Sequence, residues 1–226
     1  MRTIIPLFFA LSLQNSLAFQ NVQLFSPQSF VSNSIQAQQV GEVVVESQQS
    51  SIDKSVEALL FAVKEVGQVG SIATEEEQAQ IQLLTQELIE NHPSPEPSPA
   101  RFKLKGEHTL LYSAAPGGSS GRLFGNVVGK VTQFFEDDEI FYNRVTIGPV
   151  RIALKARREI KNDTNIKVSF LETSVYLFGR RVVQKEIGGG GVWKCKFVGT
   201  IQDSYGNKKL LRIMETPSLF VIEQAL

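Results

Sequence analysis

The spacing of hydrophobic residues changes near residue 104, and the change predicts two kinds of structure in one chain. Over residues 51–92, apolar residues recur about every 3.6 positions, which is typical of amphipathic helices. The first such stretch, 51–67, ends at a glycine, and the second begins at Thr74 and stops before Pro93. The spacing therefore predicts a helical hairpin over residues 51–92.

A capping signal marks the start of the second helix. The Thr74 hydroxyl can accept a hydrogen bond from the Glu77 backbone while the Glu77 carboxylate reaches back to the Thr74 backbone, as in a capping box. Glu75, Glu76 and Glu77 also suit the positive end of the helix dipole. We therefore expect this helix to begin at Thr74.

Beyond residue 104 the hydrophobic period falls to 2, as in strands with one buried face. The fold class predicted is mainly β: an antiparallel barrel over residues 101–226, preceded by the helical hairpin. Alternating prolines in 93–100 predict an extended, stiff hinge between the two. The predicted strands cover residues 108–114, 130–135, 139–147, 150–160, 165–171, 175–178, 192–201, 210–214 and 219–222.

Alternation along the strands also predicts which side chains line the barrel. Arg158 stands out, because its parity places a guanidinium among apolar residues. It either meets the carboxylate of a fatty acid, or has an internal ion-pair partner, lies near the rim, or follows a bulge that reverses the parity. The predicted interior accepts an apolar chain unless side chains fill it, and is lined by Phe141, Val145, Ile152, Leu154, Arg158, Phe170, Trp193 and Phe197.

Charge divides the chain along the same boundary. Residues 51–100 contain two Lys and nine acidic residues, whereas residues 101–226 contain twenty Lys or Arg and twelve acidic residues. A basic barrel favours an anionic partner, and lipid ranks above nucleic acid because the basic strands lack interleaved exposed aromatic residues. The predicted lipid-surface residues on the exterior are Arg151, Lys155, Arg157, Arg180, Arg181, Lys194 and Lys196.

Catalysis and metal binding find little support in the residue types. The chain has two His and one Cys, and their spacing does not predict a nucleophile with a base, or a zinc site. Cys195 alternates with large apolar residues, as a small core residue does. The acidic run 136–139 is typical of a solvated hairpin tip. We predict no catalytic residue, no metal and no cofactor.

Several segments, taken in order, resemble the plastid lipid-associated protein (PAP/fibrillin) family over residues 52–226. The matching segments are Ser71-Ile72-Ala73-Thr74-Glu75-Glu76-Glu77 with Leu84, Leu88 and Pro93, then Leu110-Leu111-Tyr112-Ser113, Gly129 to Phe135, Asn143 with Val145, Gly148-Pro149-Val150, Leu210-Leu211-Arg212-Ile213 and Leu219 to Ile222. A Trp frequent before the Leu-Leu-Tyr motif is absent, and the acidic stretch usual before the last two strands is reduced to 203–207. These departures bear on subgroup and ligand.

The resemblance implies a mainly β, lipocalin-like (calycin-like) barrel. It also implies a non-catalytic plastid protein that binds lipids or coats plastoglobules or thylakoids. Its implied partners are fatty acids, prenyl lipids and anionic plastid membrane lipids. The acidic charge of the hairpin favours either contact with the basic barrel or docking of a protein partner. The alternatives are a soluble lipid carrier and an accessory protein that docks to a lipid- or quinone-biosynthetic enzyme.

The first fifty residues predict targeting. A positive start, an apolar stretch of about ten residues and small residues before position 19 are typical of a signal peptide over 1–18. Residues 19–50 contain no Lys or Arg and are rich in Gln and Ser, which predicts a disordered segment or a transit peptide. Ser16-Leu17-Ala18-Phe19 resembles the bipartite leaders of algae with secondary plastids. Plain secretion is the alternative, although a lone Cys195 is less usual in secreted domains.

Overall fold

The structure is a computed structural model that describes residues 54–92, 97–123, 127–202 and 206–226. The predicted leader segments, 1–18 and 19–50, lie outside the described residues. The described residues belong to one compact unit, which includes both the helices and the sheet.

Two helices come first, as the 3.6-residue spacing predicts. Helix α1 covers residues 54–66 of the described chain, and α2 covers Glu75–Asn91. The capping box at Thr74 is confirmed: the Glu77 amide donates to Oγ1 of Thr74 at 3.2 Å, and the Thr74 amide donates to Oε2 of Glu77 at 2.8 Å. The two donors at the start of α2 are therefore satisfied by side chains.

Strands make up most of the remaining described chain. They are β1 (Gly106–Ser113), β2 (Arg122–Leu123), β3 (Val127–Val128), β4 (Lys130–Phe135), β5 (Ile140–Ile147), β6 (Val150–Ile160), β7 (Asn165–Leu177), β8 (Arg180–Glu186), β9 (Gly190–Gln202), β10 (Lys208–Thr216) and β11 (Ser218–Ala225). The structure is thus mainly β with a helical pair in front, as predicted.

Nine of these strands form one antiparallel sheet in the order β6-β5-β4-β1-β11-β10-β9-β7-β8, while β2 and β3 pair with each other. Strand β6 also pairs with β7, so the series of pairings returns to the strand from which it starts. Strand β7 is long enough for two partners along one edge: residues 165–169 pair with β9, and residues 172–177 pair with β8. Strand β8 therefore lies outside the ring of pairings.

The sheet has an apolar core on each face. The first core lies on what we call the inner face, and it includes Leu110, Val131, Phe135, Phe141, Ala156, Ile166, Val168, Cys195, Val198, Leu210, Met214 and Ile222. The second core lies between the opposite face and the helical pair, and it includes Val56, Leu59, Val63, Ile81, Leu88, Tyr112, Phe197, Ile201, Leu211, Ile213 and Val221. Strand β10 supplies residues to both, since successive side chains of a strand point to opposite faces.

The connection between the helices is fastened to the sheet by Gln68. Its side-chain amide donates to the carbonyls of Ser120 and Gly129, both at 2.8 Å, and its Oε1 accepts from the Val131 amide at 3.2 Å. Its own carbonyl accepts from the Ser113 amide at 3.0 Å. Nearby, a Cβ on Gly70 would overlap the ring of Tyr112, so only glycine allows this close approach. The helical pair is thus an integral layer of the structure.

Two sequence expectations need correction. In the segment predicted as a separate strand over 175–178, residues 175–177 are the end of the long strand β7 and Phe178 lies in the turn after it; strand β8 was not predicted. The described part of the predicted hinge is not a free spacer, because Ala100 is fully buried and its amide donates to the Asp163 carbonyl at 3.1 Å. The helices contact the sheet directly through the second core.

Candidate functional site

An apolar row crosses four strands of the inner face near one end of the sheet. Val145 of β5 pairs with Ile152 of β6, which pairs with Val175 of β7, which pairs with Val183 of β8. Directly paired residues point to the same face, and Val145 packs against the first core. The row is only partly covered, since three of the residues are half-buried and Val183 is exposed. We call Val145, Ile152, Val175 and Val183 the apolar row.

A second row, on the opposite face of the same strands, is basic. Thr146 pairs with Lys130 on β4 and with Arg151 on β6, and Tyr176 pairs with Arg151 and with Arg181 on β8. The Arg151 guanidinium lies 4.4 Å from the centre of the Tyr176 ring, in a cation–π contact. We call Lys130, Arg151 and Arg181 the basic row.

Phe178 lies at the tip of the β7–β8 hairpin, beyond both rows. Its side chain is 79% exposed, and of the described residues other than glycine it alone has a positive φ, 48°. Gly179 has φ 78°, so both residues of this two-residue loop have positive φ, as a type I′ turn requires, and Asn-Gly is preferred in such turns. A large apolar residue here is unfavourable for both backbone and solvation. We call this part of the sheet, where β4, β6 and β8 begin and β5 and β7 end, the Phe178 end.

Charge is distributed unevenly between this end and the opposite one. No acidic residue occurs in the sequence from residue 142 to 158 or from 173 to 185. The loop at the opposite end, between β4 and β5, is the acidic run 136–139, and it is exposed. The Phe178 end is therefore apolar and basic, and the other end carries acidic groups.

The predicted exterior residues divide between the two ends. Arg151, Arg180 and Arg181 lie at the Phe178 end. Two others are paired with acids, Lys196 with Glu215 at 3.0 Å and Arg157 with Glu139 at 3.9 Å. Lys155 lies 5.8 Å from the ring of Tyr142, and Lys194 pairs with Asn165 of β7.

Most predicted interior residues lie on the inner face. Phe141 is buried in the first core, Val145, Phe170 and Trp193 pack against it, and Ile152 and Leu154 follow Val145 and Asn143 in register. The prediction that Phe197 lies on the inner face needs correction. Phe197 belongs to the second core, and the centre of its ring lies 4.8 Å from that of the His92 ring. A bulge at Lys196 inserts one residue into β9, and this reverses the facing of Phe197 and the residues after it.

Within the first core, the free space is small. A cavity of about 10 Å³, room for about one water molecule, is lined by Leu104, Gln133, Phe135, Arg158, Cys195, Arg212 and neighbouring apolar residues. Arg158 is buried, and its guanidinium donates to the carbonyls of Asp138 at 2.6 Å and Phe102 at 3.0 Å. These bonds close the end of the core beside the acidic loop. Among the alternatives predicted for Arg158, the structure therefore agrees with internal partners, and these partners are backbone carbonyls.

Sequence reasoning did not single out Arg212 or the role of His108. Arg212 is 3% exposed, and burial and the nearby Arg158 lower its pKa to about 10. His108 is fully buried, and burial together with the charge of Arg212 lowers its pKa to about 3. Neither ring nitrogen of His108 has a hydrogen-bond partner among the described residues. Both residues contact the Phe135 ring, which lies between them.

The remaining chemistry of the described residues is limited. Cys195 is buried beside Arg158 and Arg212, yet burial dominates and raises the pKa of its thiol. Within the described chain, no three His, Cys, Asp or Glu side chains lie close enough together to hold a metal ion. No helix among the described residues has the length and hydrophobicity needed to span a membrane.

The fold and site define a mainly β protein whose single large antiparallel sheet carries a helical pair on one face and a mostly apolar core on the other. The family PAP_fibrillin matches residues 53–204, two thirds of the chain, and the chain belongs to this family. Membership indicates a plastid lipid-associated protein of a family that is generally structural. Neither the curated proteins nor the solved structures contain a significant match.

Proposed function

We propose that this protein attaches, without catalysis, to the surface of anionic plastid lipid assemblies through the Phe178 end. The observation that carries the proposal is Phe178 itself, an exposed aromatic side chain in a backbone conformation that disfavours it. Residues kept in such a conformation against both strain and solvation are frequent at functional sites.

Apolar contact provides one part of the proposed attachment. Around Phe178, the exposed residues Leu177, Val182 and Val183 add apolar surface, and the apolar row continues it on the inner face. Fully burying one Phe side chain contributes about 1.5–3 kcal/mol. Insertion of the hairpin tip among acyl chains would bury the Phe178 side chain and gain this free energy. In water the side chain stays exposed and the free energy is not gained.

Electrostatic attraction provides the other part. Arg180 and Arg181 follow Phe178 and Gly179, and both are exposed. A basic residue near an anionic membrane surface contributes about 1 kcal/mol, and salt screens this term. Residues 173 to 185, which form the tip half of this hairpin, contain no acidic residue that would oppose the attraction.

The test is vesicle flotation with Phe178→Asn. Asparagine suits the positive φ, so we expect the variant to be at least as stable as the natural protein while its affinity for phosphatidylglycerol-containing vesicles falls by roughly tenfold or more. Phe61→Asn is the matched control, since Phe61 is 67% exposed on helix α1. Equal loss of binding in both variants, or in neither, would show that the hairpin tip is not the site of attachment.

A charge reversal separates the electrostatic part. Arg180→Glu with Arg181→Glu is expected to abolish the salt-dependent part of binding to anionic vesicles and to leave weak binding to neutral ones unchanged. The control is the double reversal of Lys194 and Lys196, which lie on β9 away from the Phe178 end. If the β9 variant loses binding and the hairpin variant keeps it, the surface lies elsewhere.

The proposal also includes the type of barrel, the leader sequence and the location of the protein in the plastid. The return of the strand pairings through β6 and β7 supports a calycin-like barrel. Residues 1–18 and 19–50 would act as a bipartite leader for plastid import, and the mature protein would reside on plastoglobules or thylakoids. Fluorescence microscopy of the full chain, with and without residues 1–50, tests the location separately from lipid affinity.

A further inference from the structure

Two buried arginines lie beside one small cavity in the first core. The side chains of Arg158 and Arg212 both line it, and no Asp or Glu is among its lining residues. Arg158 is 5% exposed and Arg212 is 3% exposed, and of the described residues the buried ones include neither Asp nor Glu. Because a buried cation without a counterion is unfavourable, this arrangement favours an anion from outside the protein.

The two arginines differ in the charges that face them. Asp138 attracts Arg158 from the exposed loop between β4 and β5, so the charge of Arg158 is partly balanced. Arg212 faces the repelling charge of Arg158 and the thiol of Cys195, which stays protonated because burial raises its pKa. Arg212 is therefore the cation that most needs a counterion.

Both guanidinium groups also keep N–H donors for which the described residues provide no acceptor. Arg158 uses Nε and Nη2 for its two backbone carbonyls, and Nη1 has no acceptor among the described residues. Arg212 uses Nη1 for Oε1 of Gln133 at 3.2 Å and Nη2 for Sδ of Met214 at 3.1 Å, a weak acceptor. Donors remain on both arginines for a bound anion, and hydrogen bonds between charged groups are the strong ones.

The volume of the cavity limits the kind of anion. It is about 10 Å³, room for about one water molecule. A chloride ion is only slightly larger than a water molecule, whereas sulfate, phosphate and organic carboxylates are several times larger. The Met214 side chain lines the cavity, and a methionine adapts its shape readily, so a small shift makes the additional room.

We propose that this cavity binds one chloride ion between Arg158 and Arg212, and that the ion is a structural counterion of the first core. The ion neutralises Arg212 and accepts hydrogen bonds from the guanidinium groups. This site is independent of the surface attachment proposed above, because it lies inside the first core and not at the Phe178 end.

The first experiment measures the melting temperature of the natural chain while chloride is replaced by gluconate at constant ionic strength. Gluconate is too large for the cavity, and constant ionic strength keeps general screening equal. At a chloride concentration about 100 times the dissociation constant, we expect a rise of roughly 5–10 °C, because the ion binds only the folded state. Equal melting temperatures in the two salts overturn the proposal, whatever the variants do.

Bromide detects the ion at its site. Trp193 is the only tryptophan and lines the cavity, and bromide quenches tryptophan fluorescence on contact. We expect a saturable part of the quenching at low bromide concentration, which chloride removes by competition, in addition to linear quenching by collision. Linear quenching that chloride does not change would overturn the placement of the ion beside Trp193.

Arg212→Met tests the main ligand. In gluconate the variant is expected to melt at a higher temperature than the natural protein, because a buried charge without a counterion has been replaced by an apolar side chain. Addition of chloride should then leave its melting temperature unchanged. Arg144→Met is the matched control, since Arg144 is half-buried, lies outside the cavity and contacts Glu107 and the Phe134 ring. It is expected to keep the full rise with chloride.

Arg158→Met separates the roles of the two arginines. It leaves the carbonyls of Phe102 and Asp138 without their donor, so we expect it to melt lower in both salts and to keep part of the chloride effect. A full chloride effect in Arg212→Met, or its loss in Arg144→Met, would place the ion elsewhere and overturn the proposal. Vesicle flotation of Arg212→Met should match that of the natural protein, so failure of this site and failure of the surface attachment are distinguishable.

Discussion

Leu88→Ala is expected to lower the free energy of unfolding by about 2–5 kcal/mol, as other truncations of fully buried leucines do. Leu88 on helix α2 is 0% exposed and lies in the second core, against strand residues such as Leu211 and Ile213. Removal of its methyl groups leaves a cavity between the helical pair and the sheet. Urea denaturation, followed by circular dichroism and by Trp193 fluorescence, measures the change.

Leu83→Ala is the matched control, because Leu83 lies on the same helix and is 58% exposed. We expect it to change the free energy of unfolding by less than about 0.5 kcal/mol. Both probes should report one transition in the natural protein. Separate transitions for the helical signal and for Trp193 would mean that the helices are not part of the cooperative unit, against the contacts described above.

The stability of the protein is expected to fall as the pH drops from about 6.5 towards 3, because of His108. In the unfolded chain this histidine takes up a proton near pH 6.5, whereas in the folded protein its pKa is about 3. Between these values the unfolded state binds the extra proton, so acid favours unfolding. The slope is about 1.4 kcal/mol per pH unit for one proton, and the contribution is fully present above pH 6.5.

His108→Leu is expected to remove this slope between about pH 5 and 6.5, a window in which carboxyl groups contribute little. Among the carboxyls, Asp137, Glu159, Asp163 and Glu172 have lowered pKa values, so the stability they add is lost only at lower pH. His92→Leu serves as the control. Denaturation midpoints measured across the window that keep the natural slope in His108→Leu would contradict the assignment.

The elements that the sequence predicts well are those with one buried and one solvated face. The capping box and the apolar stripe predicted for helix α2 are both present in the structure. Strand β8 was not predicted because all seven of its residues are exposed. A strand without a buried face does not need to alternate apolar and polar residues, so its sequence lacks the period-2 signal. The predicted break within β7 falls at a bulge near Leu171, where the register with β6 shifts by one residue. A period-2 pattern interrupted by a bulge looks like two strands.

Two buried polar residues illustrate what sequence reasoning can find. Arg158 was singled out because its parity placed it among apolar residues, and it is indeed buried. Arg212 carried a comparable signal that was not used: it is preceded by Leu210 and Leu211 and followed by Ile213 and Met214, so both faces of the strand are apolar. A charge at such a position is buried whichever face it takes. Of its two hydrogen-bond partners, Met214 lies on the same strand, whereas Gln133 comes from β4 and could not be predicted from local spacing.

Phe197 shows the limit of the same reasoning. Its alternation with Trp193 and Cys195 predicts that all three share a face, yet the extra residue at Lys196 moves Phe197 to the second core. Gly199 accommodates it, because the Phe197 ring occupies the space that a Cβ at this position would need. No residue near 196 marks the bulge in the sequence, since lysine occurs freely in regular strands.

Strand β10 is buried over five consecutive residues, Leu210–Met214, because it separates the two cores. Its backbone amides are therefore expected to exchange with deuterium only through global unfolding, whereas those of β8 exchange through local opening of the hairpin. Amide exchange monitored by mass spectrometry would rank the two strands at opposite extremes of protection. The sheet thus combines a slowly exchanging centre with a rapidly exchanging edge, and the proposed lipid contact would involve only the edge, so that the centre keeps its structure.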